Sequence, residues 1–119
     1  MKRFKELKDG WIKDSLTGLD WGQSSDKTMT FKQALAYCKK LGARLPTSQE
    51  LMSLIDHSKR CPASELDMKT DDWYWTGTSV AGYPGDAWCV HFNSGYVSSL
   101  DYEDVDNYVR PVRKSKGVK

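Results

Sequence analysis

The chain is poor in the residues from which many kinds of site are made. It has two histidines, His57 and His91, and three cysteines, Cys38, Cys61 and Cys89. No two cysteines share C-x-x-C spacing, and neither histidine falls in a zinc pattern, so the spacing offers no structural zinc site. Three cysteines cannot all pair with one another, and free thiols of a reducing compartment are expected. No apolar run is long enough to span a bilayer. The opening residues, Met1–Asp9, are basic with no apolar stretch behind them, so the expectation is cytoplasmic synthesis without signal peptide or membrane insertion. Internal repeats and low-complexity stretches are missing too. Hydrophobic residues make up 39% of the 119, which is low for a globular chain. Five Trp and six Tyr nevertheless supply bulk that can be buried.

This length suits a single domain with one core. The expected division is a basic extension over 1–9, one domain over 10–114 and a basic tail over 115–119. The net charge of +2 conceals an asymmetry. From Ser64 to Val109 nine acidic residues stand against Lys69 alone. Basic residues gather at the two ends, notably Arg110, Arg113, Lys114, Lys116 and Lys119. An acidic contact face would repel nucleic acid, which is not an expected partner.

The most fully specified stretch is Arg44-Leu45-Pro46-Thr47-Ser48-Gln49-Glu50-Leu51. Pro46 fixes its own φ and holds Leu45 extended, so no helix runs through. Thr47 can cap a new helix, and Glu50, three residues on, can reach back to the Thr47 N–H in a capping box. Leu45 and Leu51 are expected in the core.

Around this stretch the pattern is regular. Gly10–Trp21 reads as strand, turn, strand. Thr30 and Gln33 form a second capping box, and Phe31, Ala34, Leu35, Cys38 and Leu41 make an apolar stripe on the helix it starts. Gly42 ends that helix. The second helix is expected from Ser48 to His57, and Ser58–Asp72 as a long loop. From Trp73 the period becomes two. Trp73–Ser79 is one strand, Ala81–Asp86 a loop and Ala87–Phe92 a strand with Trp88, Val90 and Phe92 on one face. Gly95 serves the turn into Tyr96–Leu100. Asp101–Asn107 is an acidic loop. Tyr108–Arg113 is the last strand, placed by Pro111 at an edge or a bulge. Helices followed by an antiparallel sheet make an α+β domain.

These elements resemble, in order, the domain at the C-terminus of the Legionella collagen-like adhesin. The residues that carry the resemblance are Thr17-Gly18-Leu19-x-Trp21, Ala34–Cys38, Arg44–Leu51 with its Thr47-x-x-Glu50, Tyr74-Trp75-x-x-Thr78-Ser79, Ala87-Trp88-x-Val90-x-Phe92-x-x-Gly95 and Val109–Arg113. The resemblance covers roughly Trp11 to Arg113. It implies a C-type-lectin-like fold with two helices flanking a twisted antiparallel sheet, terminal strands paired, and contacts made by loops at one end. It further implies adhesion modules and phage tail or receptor-binding parts, often homotrimers. Many members carry a cysteine in the last strand, placed to bridge the one in the first helix. Pro111 stands there in this chain, so the resemblance leaves Cys38 without that partner. The Glu-Pro-Asn, Gln-Pro-Asp and Trp-Asn-Asp triplets of calcium-dependent sugar-binding lectins are absent.

Candidate contact residues follow. Core packing accounts for Trp75 and Trp88. Trp73 and Tyr83 border loops, where they could stack on a sugar or anchor a protein contact. Asp86 adds charge beside them. Asp101, Tyr102, Glu103, Asp104, Asp106 and Asn107 offer hard oxygen ligands of the kind calcium takes, but not in EF-hand order. Solvated charge is the expectation there, with calcium as the alternative, and no cofactor is expected. His57, His91, Cys61 and Cys89 show no spacing that activates a nucleophile. The resulting expectation is a non-enzymatic binding module, phage- or prophage-encoded and virion-associated, that recognises a neutral glycan or protein on the host surface. The alternative is an intracellular phage effector that blocks a host protein through its acidic face.

Overall fold

The computed structural model describes residues 2–101 and 105–115. The order is β1 (Phe4–Glu6), β2 (Ile12–Asp14), β3 (Leu19–Trp21), α1 (Phe31–Lys40), α2 (Ser48–Met52), β4 (Trp73–Val80), β5 (Tyr83–His91), β6 (Tyr96–Asp101) and β7 (Val112–Lys114). Two antiparallel sheets result, β1-β2-β3-β7 and β4-β5-β6. The α+β expectation holds. The sheet begins at Phe4, inside the stretch read as an extension. The last strand pairs with β3, while β1 takes the opposite edge. β7 is itself an edge, as Pro111 suggested.

Both capping boxes form. The Thr30 hydroxyl accepts from the Gln33 N–H, and the Gln33 side chain accepts from the Thr30 N–H. Thr47 and Glu50 do the same. Gly42, at φ +69°, closes α1 in a Schellman arrangement, with the Ala43 N–H on the Cys38 carbonyl and its own N–H on that of Lys39. The stripe on α1 is narrower than the sequence suggests. Ala34 and Cys38 are buried, but Leu35 and Leu41 are 48% and 45% exposed. α2 stops at Met52 instead of His57. The Ser53 hydroxyl takes the Glu50 carbonyl, the Arg3 guanidinium takes the Ser53 carbonyl and hydroxyl, and the chain tightens into i→i+3 bonds at Leu54 and Ile55.

Arg44–Leu51 joins the two sheets. Arg44 exchanges both backbone bonds with Val112 of β7. The Pro46 carbonyl accepts from the Gly77 N–H at 2.8 Å, and the Ser48 N–H donates to the Thr78 hydroxyl at 2.9 Å, both on β4. Gly77 and Thr78 lie where the β4–β5 register shifts, and the bulge lets β4 reach this segment. The Arg44 guanidinium grips both oxygens of Glu50, at 2.7 and 3.0 Å. That bond, ahead of the cap, holds the Glu50 carboxyl below its usual range. Leu45 and Leu51 are buried as expected.

Two apolar clusters make up the core. One holds Leu19, Trp21, Leu51, Leu54, Leu66, Met68, Tyr74, Val90, Phe92, Tyr108 and Val112. The other holds Ala34, Cys38, Leu45, Trp75, Ala87, Cys89 and Val109. Tyr74 and Trp75 are neighbours in sequence on opposite faces of β4, and both are fully buried. Leu66 and Met68 come from the long loop, which is stitched down by Cys61 N–H to Asn93 O and Ala63 N–H to Phe92 O. Ala81–Asp86 is not a loop. It is a tight turn at Ala81-Gly82, with Val80 opposite Tyr83, followed by the start of β5. Trp88 is half-buried and belongs to neither cluster, contrary to the core expectation. It faces Ser99 on β6, and towards β4 the register is broken by the bulge, so apolar neighbours run out.

Candidate functional site

The three-stranded sheet presents two different ends. At one, the register aligns Trp73 with His91 and His91 with Tyr96, an aromatic row across all three strands. Directly paired residues of an antiparallel sheet share a face, so these rings lie side by side. The Trp73 and His91 rings meet edge to face, with centroids 5.1 Å apart. His91 Nδ1 accepts from the Asn93 N–H at 3.2 Å. Tyr96 is 67% exposed. Arg60, His91, Asn93, Ser94 and Tyr96 line a cleft of about 380 Å³. The hairpin that shapes it turns at Gly95, φ +90°, where an added Cβ would lie 2.8 Å from Ile55 Cγ2 and 3.0 Å from His57 Nε2. The cleft therefore combines an aromatic platform with a guanidinium, an amide, a hydroxyl and an imidazole.

At the other end stand Tyr83, 65% exposed beside the Ala81-Gly82 turn, and Asp86, directly opposite Asp101 in register. Tyr83 and His91 are the two ends of β5, eight residue steps apart, a span of roughly 25 Å. Trp73 and Tyr83, taken together as one face from the sequence, are thus brought to opposite ends. Tyr102, Glu103 and Asp104 lie outside the described residues. Asp106 is exposed, but Asn107 is not a surface ligand. It is 1% exposed, exchanges backbone bonds with Met29, and donates its amide to Cys89 Sγ. Arg60, Asn93, Ser94 and Tyr96 were missed in the sequence. The signal available was Tyr96 itself, an aromatic that opens a strand directly after a turn.

Two of the three thiols are buried. Burial pushes both Cys38 and Cys89 up to about 12, so each stays protonated near neutral pH. Cys61 is exposed and holds Asn93 Oδ1 at 3.6 Å. Among the described residues, no group of three or more His, Cys, Asp or Glu is placed to hold a metal. No helix among them is long and apolar enough to cross a membrane.

The sequence profile of the Lcl C-terminal domain matches residues 10–113. The chain belongs to that family. No curated protein and no solved structure matches it. Membership sets the coarse role as binding of an adhesin type. The match runs from just before β2 to the middle of β7, so the candidate cleft lies inside it.

Proposed function

We propose that the domain is a non-enzymatic receptor-binding module and that the Trp73–His91–Tyr96 row with its cleft holds the ligand. The carrying observation is Tyr96. A tyrosine two-thirds exposed, beside a cleft lined by Arg60, His91, Asn93 and Ser94, has the makeup of a sugar- or peptide-stacking platform with polar groups at its rim. The preferred ligand is a neutral glycan of a host surface, with ring stacking on Tyr96 and hydroxyls bonded by Asn93, Ser94 and Arg60. A loop-bearing end of an antiparallel sheet as contact face fits the C-type-lectin-like fold, which we propose for this domain. The three unpaired cysteines suit a part assembled in a reducing compartment, and we extend the reading to a phage or prophage tail component.

A glycan array and binding to whole host cells test the reading. Tyr96→Ala and, independently, Arg60→Ala should each lower binding at least tenfold while the fold persists. If wild type binds no glycan and no host surface, or if both variants bind as well as wild type, the cleft is not the receptor site. A second reading has its own observation: exposed Tyr83 and the nearby Asp86 give the opposite end of the sheet an aromatic, acidic tip suited to a basic host-protein surface. Under it, one cytosolic protein would be captured by wild type and lost with Tyr83→Ala.

A further inference from the structure

The four-stranded sheet has a cleft of its own, about 310 Å³, lined among others by Lys8, Asp9, Lys13, Asp20, Arg113 and Ser115. The register sets Lys13 of β2, Asp20 of β3 and Arg113 of β7 in one row. Directly paired residues share a face, so Asp20 stands between a lysine and an arginine. Arg113 is tied down. Its Nε donates to Asp20 Oδ2 at 3.1 Å, its Nη2 donates to Asp9 Oδ2 at 2.8 Å, and its guanidinium lies 4.0 Å from the centre of the Trp11 ring. Asp20 is only half satisfied. It is 1% exposed, and its Oδ1 is buried with no hydrogen-bond partner among the described residues. A buried acceptor without a donor is costly. Neither the Lys8 nor the Lys13 side chain forms a hydrogen bond or ion pair among the described residues, although Lys13 is the direct neighbour of Asp20. One unpartnered carboxylate oxygen and two unpaired ammonium groups therefore line a single cleft.

We propose that this cleft binds a polyol phosphate, with one hydroxyl donating to Asp20 Oδ1 and the phosphate held by Lys8 and Lys13. Charge selects an anion. Lys8, Lys13 and Arg113 line the cleft against Asp9 and Asp20, so positive charge is in excess. The donor to Oδ1 must then be neutral, because a cation there would crowd Arg113, which already holds the same carboxylate, and Lys13 beside it. A hydroxyl meets that need. The anion is a phosphate because the Arg113 fork is spent on Asp20 and Asp9. Planar carboxylates favour a guanidinium fork, whereas two lysine point charges suit phosphate oxygens. Lys13 is also the side chain that gives way above Asp20. Its stem is flexible and it breaks no bond in moving, so its ammonium can follow the phosphate. The site lies on the other sheet from the Trp73–His91–Tyr96 row and stands whatever that row binds.

Titration of the full chain, followed by amide chemical shifts and calorimetry, tests the site. Glycerol 3-phosphate should shift the amides of Lys13, Asp20 and Arg113. It should bind about tenfold more tightly than n-propyl phosphate, which keeps the phosphate and the carbon chain but has no hydroxyl, the effect of one hydrogen bond to a charged group. Lys8→Ala and Lys13→Ala remove side chains that hold nothing in the fold. Together they should weaken glycerol 3-phosphate about tenfold or more with an unchanged circular dichroism spectrum. Tyr96→Ala should leave this affinity as in wild type, which separates the site from the receptor cleft. Equal affinity for n-propyl phosphate or inorganic phosphate overturns the proposal, because lysine charge alone would then account for binding. Shifts confined to Arg60, Asn93 and Tyr96 overturn it too, by placing the phosphate in the other cleft. So does an absence of binding at millimolar glycerol 3-phosphate, which would mean that Lys13 itself closes on Asp20 Oδ1.

Discussion

Strands of three residues build the four-stranded sheet, while those of the other sheet have eight, nine and six. Short strands carry few ladder bonds, and the four-stranded sheet is held by side chains instead. All four ion pairs found among the described residues belong to it or to the segment docked on it: Arg3–Asp14, Arg113–Asp9, Arg113–Asp20 and Arg44–Glu50. Asp14 is its hub. Fully buried, it accepts from Arg3 at 2.8 and 2.9 Å, from the Leu16 N–H, from the Thr17 hydroxyl and from Trp21 Nε1. Trp11 stacks on Arg113, 4.0 Å from the guanidinium to the ring centre. The three-stranded sheet has no ion pair among the described residues and rests on its ladders and on the two apolar clusters. One sheet thus commits its polar side chains to structure. The other leaves Arg60, Ser94 and Tyr96 without side-chain bonds among the described residues at its end, where the proposed cleft lies.

The largest effect should come from breaking the hub. Asp14→Ala leaves Arg3, Trp21 Nε1 and the turn without their acceptor and should cost about 3–5 kcal/mol in chemical denaturation, the range for a broken buried pair. The hub also predicts a pH response. Burial alone would raise the Asp14 carboxyl, but the bonds from Arg3, Trp21, Thr17 and Leu16 outweigh it, and the net direction is down. A depressed carboxyl adds stability at pH above its ordinary value of 3.8, lost as pH falls through the lower folded value. Asp14→Asn should therefore flatten the acid limb of the stability curve. If its acid limb matches that of wild type, the ion pair is not what distinguishes this sheet.

Gly95→Ala probes the other sheet at its turn. A side chain there would meet Ile55 and His57 and adopt an unfavourable positive φ, so a loss of about 1–3 kcal/mol is expected. Because the same turn shapes the cleft, ligand affinity should fall with it. Thr47→Ala removes one acceptor at the start of α2 and should cost about 1 kcal/mol by thermal or chemical denaturation. An effect well above that would show the Arg44–Leu51 clamp between the sheets to be more cooperative than a single cap.

Local rules made the first half of the fold legible. Thr30/Gln33, Thr47/Glu50, Gly42 and Gly95 each act through neighbours a few residues away, and each behaves as its chemistry requires. What stayed hidden depends on distant partners. α2 ends early because Arg3 takes the Ser53 carbonyl from about fifty residues upstream. Asp14 looks like one turn former among several until Arg3 and Trp21 close on it. Tyr83–Asp86 reads as a loop because Pro84 and Gly85 disfavour strand, yet the tight turn before it sets the β5 register. The candidate site was half legible for the same reason. Trp73 was visible as an aromatic beside a loop, but its grouping with His91 and Tyr96 is a matter of register between strands. Asn107 was misplaced because its acidic neighbours suggest a surface loop, whereas its backbone is anchored on Met29.

Tyr96→Ala should have the smallest effect on stability and draws the comparison most sharply. The side chain is 67% exposed, belongs to neither core cluster and accepts or donates no hydrogen bond recorded among the described residues. Its removal should move stability by no more than about 0.5 kcal/mol, the usual range for a surface change. Receptor binding should nevertheless drop at least tenfold. Calorimetry with a single-site glycan measures that drop directly. A loss of affinity with stability intact assigns the ring to the ligand. Unchanged affinity removes the observation on which the receptor cleft rests.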